Sequence, residues 1–336
     1  MKTFNLCLLG FGNVGRALAA LLVRKRDELR EQFQIEWRVT GVATRRMRWL
    51  VAPEGCGEAE LLSGDLPARG PSPANVSEWL KAARCDVLFE TTSLEPRTGE
   101  PAVAHVRAGL EAGAHVVTAN KGTIVHAHRE LSELARERGR RFLFEATVAD
   151  CPVFSLFRGS LPAARLLSFG GVVNSTTNVI LEELEAGGTF DDGVRRAQRL
   201  GVTETDPSHD VDGWDAAVKV CAVANVLMGA RLRLEDVRRE GIRGLSAEEV
   251  RAARAEGRPY RLVARARRGA GGEVEASVGP ERVGPADPFA TVGGTSLALR
   301  FELDVLPGLT LIAHEPDLQS TAYGLLADFI NAARGR

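Results

Sequence analysis

Phe4-Asn5-Leu6-Cys7-Leu8-Leu9-Gly10-Phe11-Gly12-Asn13-Val14-Gly15 sets an apolar run of strand length directly against three glycines spaced G-x-G-x-x-G. The pattern predicts a buried strand over 4–9 and a helix over about 14–30. Glycines there allow a tight turn and let a pyrophosphate approach the helix N-terminus, where unpaired N–H groups and the helix dipole favour an anion. The spacing alone is a weak signal. Between a strand and a helix, at the head of a βαβ series, it points to dinucleotide binding through Gly10, Gly12, Asn13, Val14 and Gly15.

The alternation of strands and helices continues from there. Residues 37–43 read as a second strand, 86–92 as a third ending at Thr92, 115–119 as a fourth and 141–148 as a fifth. Helices are expected from Ser77 to residue 84, over 101–112 with a stop at Gly113, and up to about Gly139. Residues 45–75, rich in Gly, Pro and Arg, read as an irregular excursion. This order implies an α/β fold, a Rossmann-type doubly wound parallel sheet over 1–148, with Thr92 placed among the cofactor-binding residues. After about residue 150 the rhythm changes to α+β, a second domain over 149–300. It holds a strand over 166–173, a helix opened by Asn174-Ser175-Thr176-Thr177-Asn178, a buried helix over 213–229 and a hairpin of 261–267 with 273–278. The last stretch, 301–336, holds a strand over 309–312 and an amphipathic helix over 320–333. Both are expected to pack back on the first domain.

At 336 residues and 44% hydrophobic, the chain is long enough for two globular domains. A net charge of −1 gives no electrostatic case for nucleic acid or membrane binding. The five cysteines are scattered without a C-x-x-C pair, which argues against structural zinc and a secreted disulfide framework. No segment has the apolar length of a bilayer span, and the first apolar run ends in glycines rather than a cleavage site, so a cytoplasmic protein is expected. The six histidines have no metal-ligand spacing.

Charge placement carries the chemistry. The second strand ends in Thr44-Arg45-Arg46 where an NAD site usually offers Asp or Glu to the ribose 2′-hydroxyl; a basic end suits a 2′-phosphate, hence NADP over NAD. The chain has 43 basic residues but only five lysines, Lys2, Lys25, Lys81, Lys121 and Lys219. Arg stays charged in proteins, whereas a Lys amine can be tuned for proton chemistry. Lys121 follows the apolar run Val116-Val117-Thr118-Ala119-Asn120. Lys219 lies in a segment, 211–229, whose only other charges are Asp212 and Asp215; helical spacing puts all three on one face. The plain alternative is a surface salt bridge. The strand-to-helix junction at Asn174–Asn178, Thr176 included, offers hydroxyls and free N–H groups that suit a substrate carboxylate; simple N-capping would use the same residue types.

Taken together, the glycine loop at 10–15, Thr98-Gly99-Glu100-Pro101-Ala102, Val116 through Gly122, Asn174 through Asn178 and the block from Glu204 to Lys219 resemble homoserine dehydrogenases over almost the whole chain. The resemblance implies reversible NAD(P)-dependent reduction of aspartate 4-semialdehyde to homoserine, in threonine, methionine and isoleucine biosynthesis. It implies that Glu204 and Asp215 bind the substrate, with Thr176 and Asp210 beside them, and that Lys121 and Lys219 serve proton transfer. It implies a homodimer through the sheet of the second domain. It also places a monovalent cation at Glu145 and Val148, although the turn Ala149-Asp150-Cys151-Pro152 departs from the family's glycine-rich one and counts against it. Ser175 stands where relatives have Gly, and Ala313-His314-Glu315-Pro316-Asp317-Leu318-Gln319 where they have a glycine-rich loop beside the cofactor. Feedback control through an appended amino-acid-binding domain is not expected. Two other readings stay open: an oxidoreductase acting on another small amino-acid aldehyde or alcohol, and a non-catalytic dinucleotide-binding paralogue.

Overall fold

The computed structural model of the chain describes residues 1–66, 70, 72–203 and 205–335. It forms two compact units, one of residues 1–152 with 317–336, the other of residues 153–316.

The first unit opens with β1 (Lys2–Leu9), α1 (Asn13–Arg24) and α2 (Arg26–Phe33). The single helix expected over 14–30 is broken at Lys25, because Asp27 and Glu28 favour a fresh N-terminus and Lys25 Nζ pairs with Glu28 at 2.7 Å. β2 (Ile35–Thr44) follows. Inside the expected irregular excursion the chain turns back as β3 (Arg48–Val51), antiparallel to β2, and then forms α3 (Glu58–Ser63). Trp49 and Leu50 supply the apolar anchor: Trp49 packs 5.5 Å from the Trp79 ring, and Trp79 Nε1 donates to the Leu50 carbonyl at 2.8 Å. Next come α4 (Val76–Ala82), capped by Asn75 rather than Ser77, β4 (Val87–Glu90), α5 (Ala102–Glu111), β5 (His115–Thr118), α6 (Lys121–Glu137) and β6 (Phe142–Leu143). The fifth strand expected over 141–148 is this two-residue β6. Its continuation is a 3-10 turn over Glu145–Thr147, because the Glu145 N–H leaves the ladder for the buried Asp328 carboxylate. The sheet order is β3-β2-β1-β4-β5-β6, parallel apart from the β3 edge. Strand order reverses between β1 and β4, the crevice where doubly wound sheets bind ligands.

The second unit contains α7 (Val153–Gly159), β7 (Leu166–Val172), α8 (Ser175–Glu185), α9 (Phe190–Arg199), α10 (Ser208–Val211) and α11 (Trp214–Leu227). β8 (Arg238–Arg239), α12 (Ala247–Ala255), β9 (Tyr260–Arg268), β10 (Val274–Arg282), β11 (Leu297–Leu303) and β12 (Leu309–Ala313) complete it. Its sheet runs β12-β11-β7-β9-β10-β8, antiparallel except for the β10–β8 pair. The β9–β10 hairpin is the expected one. α8 and α11 pack on this sheet at β9.

The stretch 301–336 was expected to act as one piece and does not. β12 pairs with β11 in the second sheet, while α13 (Leu318–Ala333) belongs to the first unit. There Phe329 meets Phe4 and Phe89 edge-on, with ring centres at 5.7 and 5.9 Å.

Candidate active site

In the first unit the glycine loop follows β1. Gly10 has φ +97°, and a Cβ on it would stand 2.5 Å from the Thr91 carbonyl oxygen; one on Gly15 would stand 2.4 Å from the Gly10 oxygen. Only bare backbone fits, and α1 begins after Gly12 with no side-chain cap and no acidic residue in its first turn. That leaves the N–H groups and positive end of the helix for a phosphate, so the residues present fit a dinucleotide. Thr91 Oγ1 donates to the Gly10 carbonyl at 2.9 Å and ties this loop to the end of β4. At the end of β2, Thr44 Oγ1 accepts the Met47 N–H at 2.9 Å, and Arg45 and Arg46 in that turn are exposed.

The ends of β4 and β5 are joined by a buried network. Glu90 is fully buried; Oε1 accepts from Thr92 N at 3.1 Å and from Thr92 Oγ1, and Oε2 from Thr118 Oγ1 at 3.0 Å. Thr118 Oγ1 accepts the Asn120 N–H at 2.9 Å. Asn120 Nδ2 donates to the carbonyls of Thr92 and Ser93, and its Oδ1 caps α6 at Gly122 N. Lys121 is the first residue of that helix and is half-buried. Gly99 packs against Gly122, where a Cβ would be 2.8 Å from the carbonyl oxygen, so two of the motifs read from sequence meet here. Glu90 was missed in the sequence, although a carboxylate closing the apolar run Val87-Leu88-Phe89 was a visible signal.

In the second unit, Lys219 and Asp215 form an ion pair of 2.8 Å with side chains only 12% and 14% exposed, so the pair is no surface salt bridge. Lys219 Nζ also donates to the Val173 carbonyl at the end of β7. An ammonium has three donors, and these two acceptors leave one N–H over. Asp212 does not share this face. It precedes Gly213 and α11, and pairs with Arg243 at 2.5 Å, while Arg239 stacks 3.7 Å over Trp214.

Asn174 caps α8, its Oδ1 accepting Thr177 N at 2.9 Å. Its Nδ2 donates to Asp210 Oδ1 at 2.7 Å and to Asp215 Oδ2 at 3.1 Å. Asp210 Oδ2 takes the hydroxyls of Thr176 and Thr203, each at 3.0 Å. The side chains of Asp210 and Thr176, expected to meet a substrate, are therefore turned to each other and to Asn174. What α8 leaves over is backbone: the N–H groups of Ser175 and Thr176 have no acceptor among the described residues. Ser175 Oγ donates to the Thr295 carbonyl at 2.9 Å. Glu204 lies outside the described residues.

The turn assigned to a cation is braced by protein. Glu145 N donates to Asp328 Oδ2 at 2.7 Å, and Asp150, at φ +52°, accepts Thr321 Oγ1 at 2.8 Å. Among the described residues no three His, Cys, Asp or Glu side chains gather to hold a metal ion. Burial pushes the Cys151 and Cys221 thiols up to about 12, which disfavours their thiolates. In the loop at 313–319, Asp317 caps α13, accepting Gln319 N and Ser320 N, and Glu315 is exposed. Among the described residues no helix is long and apolar enough to cross a membrane.

Residues 10–145 match the family model "Homoserine dehydrogenase, NAD binding domain", and residues 152–330 match the model "Homoserine dehydrogenase". The chain belongs to the homoserine dehydrogenase family. It is 33% identical to the NAD(+)-dependent homoserine dehydrogenase of Pseudomonas canavaninivorans, covering 98% of this chain and 96% of that one. The crystal structure of a homoserine dehydrogenase from Thiobacillus denitrificans superposes with a TM-score of 0.85 at 31% identity, over 99% of this chain and 74% of that one. A hyperthermophilic archaeal homoserine dehydrogenase mutant in complex with NADPH superposes with a TM-score of 0.81 at 27% identity, over 98% of each chain. This homoserine dehydrogenase is thus an oxidoreductase with a nicotinamide dinucleotide cofactor, and the non-catalytic reading is not favoured.

Proposed function

We propose that the chain interconverts aspartate 4-semialdehyde and homoserine, with Lys219 as the group that gives the proton to the carbinol oxygen. The observation that carries this is the buried Asp215–Lys219 pair, in which one ammonium N–H is left over beside two fixed acceptors. A bound reduced nicotinamide supplies the hydride. As hydride reaches the aldehyde carbon, negative charge grows on oxygen, and an oriented ammonium stabilises and protonates it. Asp215 holds that ammonium in place. Lys121 serves the same proton path. The free N–H groups of Ser175 and Thr176 suit the substrate carboxylate. Glu204 is assigned the substrate ammonium through the family resemblance, and Asp210 with Thr176 keeps Asn174 aimed at Asp215.

For the cofactor, Arg45 and Arg46 favour NADP, since two exposed guanidinium groups and no carboxylate close β2. The partner is a second copy of the chain, through the second sheet, where Ser168, Arg265, Arg300 and Glu302 line a shallow hollow of about 290 Å³. The location is cytoplasmic.

The test is oxidation of homoserine by the purified chain with NAD⁺ and with NADP⁺, followed through the absorbance of the reduced nicotinamide. Turnover with homoserine, faster with NADP⁺, is expected. Binding of both cofactors without homoserine turnover would refute the substrate assignment.

A further inference from the structure

The mechanism above makes no use of Glu90, although its carboxylate is the most completely enclosed acid beside the cofactor crevice. It sits at the last position of β4 with no exposed surface, and a buried carboxylate is costly unless donors surround it. Here they do. Thr92 N and Thr92 Oγ1 point at Oε1, Thr118 Oγ1 points at Oε2, and Nδ1 of His105 on α5 stands 3.9 Å from Oε1 without a hydrogen bond of its own. An apolar residue at this strand end would bury as well, so packing does not explain an acid.

The hydrogen bonds of Glu90 form a closed ring. One branch runs to Thr92, whose carbonyl accepts Asn120 Nδ2 at 3.2 Å. The other runs to Thr118, whose Oγ1 accepts Asn120 N at 2.9 Å. Both end on Asn120, and Asn120 Oδ1 takes Gly122 N at 3.0 Å, closing the first turn of α6 over Lys121. Through Asn120, Glu90 sets the backbone from which Lys121 departs.

We propose that Glu90 is a positioning residue for the reaction: its carboxylate clamps the ends of β4 and β5 and so fixes where Lys121 presents its amine. The role rests on the assignment of Lys121 to the proton path. Glu90→Gln keeps the volume but replaces one acceptor oxygen by a donor, which faces a hydroxyl or an N–H that already donates. A displacement of the reacting group by a fraction of an ångström to one ångström lowers turnover by roughly 10–100-fold.

The experiment compares Glu90→Gln, Lys121→Ala and the double variant in the full chain, with kcat, KM, cofactor Kd and amide hydrogen exchange. Glu90→Gln is expected to lower kcat by about tenfold or more with little change in cofactor Kd, and to cost nothing further in the Lys121→Ala background. Exchange at Thr92–Ser93 and Asn120–Gly122 should quicken while β1 and β2 stay protected. A kcat within about twofold of the parent, or losses that multiply with those of Lys121→Ala, overturns the proposal. Should Lys121→Ala prove fully active, the proton-path assignment fails, and hydrogen exchange alone decides: quickened exchange at both places sustains the clamp, and unchanged exchange refutes it. Should Glu90→Gln not fold, Thr118 replaces it: Thr118→Ser, which keeps the hydroxyl, is expected to match the parent and Thr118→Val to lose turnover, and equal activity of the two overturns the clamp.

Discussion

Glu90 in the first unit and Asp210 in the second each gather three donors at a strand-to-helix junction capped by an asparagine. The donors are Thr92 N, Thr92 Oγ1 and Thr118 Oγ1 for Glu90, and Asn174 Nδ2, Thr176 Oγ1 and Thr203 Oγ1 for Asp210. The difference lies in the last link to the lysine. From Asp210 every step is a side chain, through Asn174 to Asp215 to Lys219. From Glu90 the last step is backbone, the capped first turn of α6. The route from Asp210 to Lys219 answers to charge; the route from Glu90 to Lys121 answers to shape.

The largest effect should come from cutting the charged chain at its end. Lys219→Ala is expected to lower kcat by roughly 10²–10⁴, as loss of a general acid does, while the fold and cofactor binding persist. Stopped-flow and circular dichroism check both halves of the statement. Near-parental turnover would remove Lys219 from the proton path. Asp215→Asn follows, since it keeps the shape but removes the partner charge: kcat should fall about tenfold or more while Asp215→Glu recovers part of it. If Asn and Glu variants behave alike, charge is not what this pair supplies.

Asp210→Asn acts one link further away. It leaves the donors of Asn174, Thr176 and Thr203 poorly paired, which costs about 1–3 kcal/mol of stability and should lower kcat less than Asp215→Asn does. Urea unfolding and steady-state kinetics read the two effects. A larger loss than at Asp215 would mean that Asp210 itself meets the substrate.

Replacing Arg45 and Arg46 by Ala should weaken NADPH by about fivefold to tenfold and NADH hardly at all, an effect that shrinks as salt rises. Equal weakening of both would place the two arginines away from the 2′-phosphate. Smallest of all is Glu315→Gln, at an exposed residue outside both networks; cofactor Kd should stay the same at low and high ionic strength.

Much of this was legible in the chain itself. An apolar run before Gly10 fixed the first strand and the phosphate loop, and the near absence of charge over 211–229 marked Asp215 and Lys219. The short strand at Arg48–Val51 was hidden because its arginine neighbours and the following Gly and Pro mask two buried residues, Leu50 and Val51. Asp212 was misplaced because helical spacing was counted through Gly213, where the helix in fact begins afresh. The shortening of β6 depends on Asp328, far along the sequence, which no local pattern reveals. The hydroxyls of Thr176 and Thr203 on Asp210 Oδ2 are likewise visible only in the fold.

The first unit is written in two pieces, with α13 supplied from the far end of the chain. Phe329 lies between Phe4 and Phe89, and Asp328 holds Glu145 N. On the ribosome, β1 through β6 therefore emerge long before the helix that covers them. The second unit, continuous in sequence, has all its strands before that helix arrives. Domains usually fold in order of synthesis. Here the nucleotide unit must hold an uncovered apolar face through most of translation, so the half made first is the half finished last, and the exposed interval is where chaperones would bind.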